Sequence, residues 1–230
     1  MKILYFDCST GISGDMLFYA AADLSGKKNE IMEEREMLRF SEDKGHENPH
    51  GDKYSHSHGR SYVEVKQMIE KSQVSEKAKE YALSIYGYIA KAEAAVHGAT
   101  LETVHFHEVG RDEAIKNALA TGIAVEAIAP DRVFVSPIYD GHGSIICSHG
   151  KIPVPVPAVK ALMEESIYIF KTADIDTEMV TPSGLAGLMG IGAEPAPEAA
   201  EDLGKIIKEA EARGRRDTGL PGLKAYIIRA

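Results

Sequence analysis

Long apolar runs are absent from the sequence: no stretch approaches the roughly 18 consecutive apolar residues that a membrane-spanning helix needs. The opening residues, MKILYFDC, carry an acidic side chain at Asp7 and no small-residue cleavage site after a long apolar core. We therefore interpret them as a first β-strand rather than a signal peptide. A membrane protein is not expected, and a cytoplasmic location is the default.

Cysteine and basic residues are also scarce. The chain has only two cysteines, Cys8 and Cys147, among 230 residues. This excludes a disulfide framework and favours free thiols that are either buried or act as soft metal ligands. The net charge is −9, and the one basic cluster is RGRRD, residues 213–217, which is either solvated surface or a phosphate contact. Because nucleic-acid binding needs a basic stripe, no nucleic-acid partner is expected.

Segments with strand character alternate with segments of helical periodicity along the chain, which predicts an α/β fold. A chain of 230 residues with 44% hydrophobic content is long enough to bury a sizeable core. We expect a single domain over residues 1–230, with a mixed sheet flanked by helices and an inserted His-rich loop. The acidic, Ala-rich residues 193–214 are expected to be partly helical, and residues 223–230 to form a final strand.

Two of the expected helices have clear end signals. A long amphipathic helix follows the N-cap candidate Ser75 and stops at Gly98, and a second helix is expected from about Asp112 to Ile128. Glu93 and His97 lie four residues apart on the first of these helices and so share a face. They could hold a metal ion or form a surface hydrogen bond.

Histidine is concentrated in the irregular segment Ser41–Arg60, which holds His46, His50, His56 and His58. The segment has no apolar periodicity, so we expect a mobile loop. Imidazole suits nickel, zinc and copper, and such a tract can recruit these ions without a preformed cage. The alternative is a polar loop in which the histidines have no common role.

A second histidine cluster occurs in VHFHEVG, residues 104–110. If the backbone there is extended, His105 and His107 point to one side, and Phe106 and Glu108 to the other. Two imidazoles at this spacing can grip one metal ion, and Glu108 would then support them or serve a neighbouring element. The alternative is a hydrogen-bonded core cluster without metal.

Two polar turns each precede an apolar helix. The first follows the opening strand and contains Ser13, Gly14 and Asp15. The second has Thr181 as N-cap candidate and Pro182 at the first helical position. Free backbone N–H groups at a helix start attract anions. The first turn could equally be a plain strand-to-helix connection capped by Ser13 or Asp15.

Five segments, in this order, resemble the LarC-type nickel-insertion (nickel chelatase) proteins, which complete the nickel-pincer nucleotide cofactor of lactate racemase and its relatives. The segments are ILYFDCSTGISGDM, AEAAVHG, VHFHEVGRDEAI, GHGSIICSHGKIPVPVPA and EMVTPSGLAGL. The resemblance covers nearly the whole chain and corresponds to the N-terminal region of that family. The ordered set, rather than any one motif, carries it.

This resemblance implies an activity: insertion of Ni²⁺ into pyridinium-3,5-bisthiocarboxylic acid mononucleotide, with Ni–S and Ni–C bonds formed. In the family the reaction uses CTP with Mn²⁺ or Mg²⁺. In the family, the C-terminal region resembles the part that handles CTP, and this sequence does not contain that region. We therefore expect a split chelatase in which a separate partner protein supplies it. Homo-oligomerisation is left open. The alternatives are a non-catalytic nickel carrier or storage protein, and a structural or regulatory homologue.

Two further departures from the family pattern concern the site. The family often has aspartates at the positions of Glu113 and Asn117, so the change at Asn117 removes one possible carboxylate ligand. The glycine-rich segment expected late in the region is replaced here by EAEARGRRD, which argues against a phosphate site there.

Motif position and local chemistry together give the candidate site residues. The catalytic candidates are Asp7, Asp15, Glu108 and His149. The mononucleotide, the precursor of the cofactor, would be bound by the turns at Ser13, Gly14, Thr181 and Ser183. The Ni²⁺ ligands would be His105, His107, Glu108, His56 and His58.

Overall fold

The computed structural model describes residues 1–40, 59–147, 150–216 and 218–230. The helices in these ranges are α1 (Gly14–Ser25), α2 (Lys28–Met37), α3 (Tyr62–Lys71), α4 (Glu76–His97), α5 (Asp112–Ile128), α6 (Pro157–Glu165) and α7 (Pro182–Gly190). The strands are β1 (Lys2–Asp7), β2 (Arg60–Ser61), β3 (His105–Phe106), β4 (Arg132–Val135), β5 (Ile138–Asp140), β6 (Ser144–Cys147), β7 (Gly150–Pro153), β8 (Phe170–Thr172), β9 (Glu194–Pro195), β10 (Lys205–Ala212) and β11 (Leu223–Arg229).

The main sheet has five strands in the order β10-β11-β1-β4-β9. Strand β1 is antiparallel to β11 and parallel to β4, so the sheet is mixed. Leu4 and Phe6 belong to the large core under the helices, whereas Ile3 and Tyr5 pack with Phe134 and Ile228 on the opposite face. Because both faces of β1 are buried, KILYFD is a nearly continuous apolar run rather than an alternating one.

The helices form a layer on one face of this sheet, with α4 and α5 packed against each other and against α1 and α7. The predicted bounds of α5 are confirmed. The predicted ends of α4 are confirmed as well: the Ser75 hydroxyl accepts a hydrogen bond from the Ala78 N–H at 3.0 Å, and Gly98 ends the helix with a left-handed backbone, φ 62°. The α/β class with a mixed sheet and flanking helices is therefore confirmed. Among the described residues, no helix combines the length and apolarity needed to cross a bilayer.

Two expectations are wrong in the described part of the chain. Residues 193–214 are predicted to be partly helical, but the only helical piece is the short 3₁₀ turn Ala200–Leu203, and the range also contains strands β9 and β10. The extended lead-in to α5 is shorter than expected, because β3 ends at Phe106 and the chain turns immediately afterwards. The expected His-rich loop at 41–60 lies almost wholly outside the described residues.

Candidate functional site

The beginnings of helices α1 and α7 lie side by side. A parallel bridge joins Ile12 to Val180: the Ile12 N–H donates to the Met179 carbonyl at 2.9 Å, and the Thr181 N–H donates to the Ile12 carbonyl at 3.0 Å. This pairing brings together two segments that are about 170 positions apart in the sequence. Both helix starts therefore face the same region of the molecule.

Each helix start is capped by its own hydroxyl side chain, as the sequence predicts. The Ser13 hydroxyl accepts from the Met16 N–H at 3.2 Å, and the Thr181 hydroxyl accepts from the Gly184 N–H at 3.2 Å. The Ser183 hydroxyl lies 3.2 Å from that of Thr181. The two starts thus present several hydroxyls side by side, and at α7 Pro182 has no N–H group and the Gly184 N–H is already bonded to Thr181.

Glycine allows the two helix starts to approach this closely. A Cβ atom at Gly184 would lie 2.5 Å from the Ile12 carbonyl oxygen and 2.7 Å from the Ser13 Cα, both backbone atoms. A Cβ atom at Gly14 would lie 2.9 Å from the Ser183 hydroxyl. Larger side chains at these positions would separate the helix starts.

A cavity of about 480 Å³ opens in front of the two helix starts. Its volume lies in the range of small-molecule sites. Six of the predicted site residues line it: Ser13, Gly14, Asp15, Glu108, Thr181 and Ser183. Other polar and charged residues on its wall were not among the predictions: Thr10, Arg111, Glu113, Asn117, Thr121, Glu178, Arg213, Arg215, Arg216 and Thr218.

Four arginines contribute to the cavity wall. Arg213, Arg215 and Arg216 follow β10, and Arg111 precedes α5. The Arg215 guanidinium Nε lies 2.8 Å from an Asp15 carboxylate oxygen, and an Arg216 Nη lies 3.1 Å from a Glu178 carboxylate oxygen. Arginine guanidinium groups and open helix N-termini both favour phosphate and carboxylate ligands. The wall also carries the carboxylates of Asp15, Glu108, Glu113 and Glu178, so it presents groups of both charges.

A chain of hydrogen bonds behind the wall fixes the Asp15 carboxylate. The buried Arg35 guanidinium donates to the Asn117 side-chain oxygen at 2.7 Å, and the Asn117 amide nitrogen donates to Asp15 at 2.6 Å. Arg35 also pairs with Glu36 and Glu113. Because Arg35 engages the oxygen of the Asn117 amide, the NH₂ group faces Asp15. Asn117 acts here as a donor to a carboxylate, a role that an aspartate could not fill in its ionised form.

Glu178 is the buried carboxylate of the wall, with a side chain only 8% exposed. Burial raises the pKa of Glu178 to about 7; Arg216 opposes this shift, and Asp140 and Glu108 add to it. The buried Asp140 carboxylate is hydrogen-bonded to the backbone that follows Glu178. One of its carboxylate oxygens accepts from the N–H groups of Gly141, Met179 and Val180 at 2.8, 2.9 and 3.0 Å. Burial also raises the pKa of Asp140.

The structure places the other predicted residues elsewhere. The Asp7 carboxylate accepts from the Ser9 N–H at 3.0 Å and does not line the cavity. His105 is exposed, and its Nδ1 lies 3.2 Å from the Gly59 carbonyl oxygen. His107 is also exposed and does not line the cavity, whereas Glu108 does, because the turn after Phe106 swings it toward α5. The predicted residues His56, His58 and His149 lie outside the described ranges.

His107 lies near the end of α4 rather than beside the cavity. Its ring centroid is 6.3 Å from that of His97, and the His97 Nε2 is 3.4 Å from a Glu93 carboxylate oxygen. In the part of the chain that the structure describes, no group of three or more His, Cys, Asp or Glu side chains is arranged to hold a metal ion. The roles assigned to His105 and His107 stay predictions.

The fold and the cavity define an α/β protein with a cavity of small-molecule size whose wall carries arginines and carboxylates. Residues 4–218 match the model of the family described as nickel insertion protein, and the chain belongs to that family. The resemblance predicted from the five motifs is confirmed. No solved structure matches the chain.

Three relatives carry the name pyridinium-3,5-bisthiocarboxylic acid mononucleotide nickel insertion protein. The protein from Acetivibrio thermocellus is 33% identical over 243 residues, covering 95% of this chain and 58% of the relative. That from Akkermansia muciniphila is 34% identical over 246 residues, covering 96% and 58%. That from Clostridium kluyveri is 32% identical over 255 residues, covering 99% and 62%. The chain thus spans about three-fifths of the length of these relatives.

Proposed function

We propose that this chain binds pyridinium-3,5-bisthiocarboxylic acid mononucleotide in the cavity and takes part in inserting Ni²⁺ into it. The observation that carries the proposal is the cavity itself, where two helix starts and four arginines meet in a chain whose relatives are named for this substrate. The ligand has a phosphate at one end and a dithiocarboxylated ring at the other, so it needs cationic and N–H partners at two places.

The phosphate would lie at the paired helix starts. Ser13, Gly14, Thr181 and Ser183 line this part of the cavity, and Arg215 lies beside Asp15 at the same helix start. The hydroxyls and N–H groups there would receive phosphate oxygens, and the guanidinium groups would supply the positive charge. The basic cluster RGRRD would then be a phosphate contact rather than plain solvated surface.

The ring would face the part of the cavity wall that contains Glu108, Arg111 and Glu178. A carboxylate near the pyridinium ring balances its positive charge, and Arg111 can pair with a thiocarboxylate arm. Ni²⁺ is a substrate in this scheme. The exposed His105 and His107, with His56, His58 and Glu108, would collect it and pass it to the cavity. The predicted role of Asp7 has no support from the cavity wall, and His149 lies outside the described residues.

Activation of the substrate would involve CTP with Mn²⁺ or Mg²⁺ on a separate partner protein that corresponds to the remaining length of the relatives. We propose that the two proteins work together in the cytoplasm. The alternative of a nickel carrier or storage protein gains no support from the relatives' names, which refer to insertion into a nucleotide.

The experiment that tests the proposal is incubation of this chain with Ni²⁺, CTP, Mg²⁺ or Mn²⁺ and the dithiocarboxylate mononucleotide, with and without the partner protein. Mass spectrometry would follow the metallated nucleotide. We expect product only when both proteins are present, and loss of precursor binding in Arg215→Ala. Calorimetric binding of Ni²⁺ without any binding of the precursor would instead favour the carrier hypothesis.

A further inference from the structure

The cavity wall contains a buried carboxylate that binds neither the phosphate nor the nickel ion in the proposed function. Glu178 lines the cavity, its side chain is 8% exposed, and an Arg216 Nη lies 3.1 Å from one of its carboxylate oxygens. The Arg216 guanidinium also donates to the Thr177 hydroxyl at 3.3 Å. Burying a carboxylate costs free energy even when the carboxylate is paired with an arginine. An ion pair with a purely structural role could lie in solvent without this cost, so the burial of Glu178 indicates a further role.

Hydrogen bonds and a strand bridge hold the backbone that follows Glu178. The N–H groups of Met179 and Val180, the two residues after Glu178, donate to the buried Asp140 carboxylate, and Val180 is bridged to Ile12. The Glu178 side chain thus projects from an anchored segment and is tethered at its tip by Arg216. Such a carboxylate has one defined position relative to a bound ligand, as proton transfer requires.

The named substrate defines a step that needs a base. Two thiocarboxylate arms at ring positions 3 and 5 flank ring carbon 4, so a nickel ion bound by both sulfurs lies against the C4–H bond. We propose that Glu178 accepts the proton released from this carbon as nickel bonds to it. The electron pair of the C–H bond becomes the C–Ni bond, Ni²⁺ keeps its oxidation state, and H⁺ moves to the Glu178 carboxylate. This inference rests on the proposed function.

The other carboxylates of the wall are less suited to this step. The side chains of Asp15 and Glu113 are 22% and 55% exposed against 8% for Glu178, and Asp15 is engaged by two partners, Arg215 and Asn117. Glu108 is exposed. Burial raises the pKa of Glu178 to about 7, which lets it take up a proton at neutral pH. The charged groups around it are Arg216, Asp140 and Glu108, and the remaining charged groups of the wall are Asp15, Arg111, Glu113, Arg213 and Arg215.

Three variants test the inference in the complete insertion assay. Glu178→Gln keeps the shape but cannot accept a proton, and Glu178→Asp keeps a carboxylate. Glu165→Gln removes an exposed glutamate that pairs with Lys91 away from the cavity and serves as the matched control. For each variant, precursor binding is measured by calorimetry and the insertion rate by mass spectrometry across the neutral pH range.

We expect Glu178→Gln to bind the precursor as the wild type does but to insert nickel about 10²-fold more slowly or worse. The wild-type rate should rise with pH through about 7, as the carboxyl loses its proton, and this rise should be absent in Glu178→Gln and retained in Glu178→Asp. A merely structural role would lower binding and leave the pH profile unchanged. A wild-type rate with the same pH rise in Glu178→Gln refutes the inference alone. No product from the wild type with its partner refutes the proposed function and the inference with it.

Discussion

Replacing Gly184 by alanine tests whether the two helix starts must touch. The added methyl group would lie 2.5 Å from the Ile12 carbonyl oxygen and 2.7 Å from both the Ile12 carbonyl carbon and the Ser13 Cα. All three are backbone atoms, so no side chain can rotate away. The two segments must move apart, and the hydrogen bonds that join Ile12 to Met179 and Thr181 must lengthen.

The expected cost follows from two opposing effects. Overpacking at a close contact destabilises a protein by about 1–3 kcal/mol. Alanine in place of glycine stabilises a helix by about 1 kcal/mol at most, because alanine has the higher helix propensity. Because all three contacts are with backbone atoms, the overpacking cost should lie in the upper part of its range, about 2–3 kcal/mol. The net loss is then about 1–2 kcal/mol, which for a chain of this size lowers the Tm by roughly 2–8 °C. Binding of an anionic ligand should weaken as well, because the hydroxyls of Ser13 and Thr181 would no longer converge.

Urea unfolding followed by circular dichroism measures the loss, with Gly87→Ala as the matched control. Gly87 lies inside α4, where a methyl group would meet only the Tyr62 hydroxyl at 3.9 Å. That variant should gain about 0.5–1 kcal/mol from helix propensity and reduced freedom of the unfolded chain. If Gly184→Ala unfolds at the wild-type midpoint, or gains stability like the control, the close approach of the helix starts is not required.

Three further variants probe the packing around the cavity. The pKa of Glu178 is about 7 in the folded chain, against an ordinary value of 4.5. The protonated carboxyl therefore stabilises the folded state at low pH, and this contribution is lost as the pH rises from 4.5 to about 7. The free energy of unfolding should fall by at most about 1.4 kcal/mol per pH unit in this range. In Glu178→Gln, urea titrations between these pH values should show a shallower fall. An unchanged slope would contradict the buried position of Glu178. Tyr86→Phe leaves the Val109 carbonyl without its 2.7 Å hydrogen bond and should cost about 1–2 kcal/mol by urea unfolding, whereas a neutral result would mean that water replaces the hydroxyl. Arg35→Met removes the donor that orients Asn117 and should cost about 2 kcal/mol, with weaker precursor binding by calorimetry; full affinity would show that Asp15 needs no such support.

Local signals in the sequence were enough for the elements whose ends are chemically marked. Ser75, Thr181 and Pro182 mark helix starts and Gly98 a helix end, and all four do so in the structure. These signals act within one turn of chain, so no tertiary information is needed to interpret them.

In strand β10, pairing with β11 overrides the local preference of the sequence for a helix. KIIKEAEA is rich in good helix formers, yet it pairs along its length with β11, from Lys205 opposite Arg229 to Ala212 opposite Leu223. Its second half does alternate, with Ala210 and Ala212 buried and Glu209 and Glu211 exposed. This period of two was the available signal, and the high helix propensity of alanine and glutamate concealed it.

The candidate site was predictable only in part, because its wall is assembled from distant segments. The turns with Ser13 and Thr181 stand out as helix starts wherever they lie. Arg215 and Glu178 carry no such mark, since a basic cluster and an acid in a loop are usually solvated. Only the pairing of β10 with β11 carries Arg215 to Asp15, 200 positions earlier in the sequence.

The position of β1 at the centre of the sheet has a consequence for the order of folding. This strand is made before both of its neighbours, β4, beginning at Arg132, and β11, ending at Arg229. During synthesis the apolar segment KILYFD cannot gain both partners until the chain as far as Arg229 has left the ribosome. Pairings between such distant segments form slowly, and unpaired apolar strands tend to aggregate meanwhile. Nascent chains of this protein should therefore depend on holding chaperones until β11 is available.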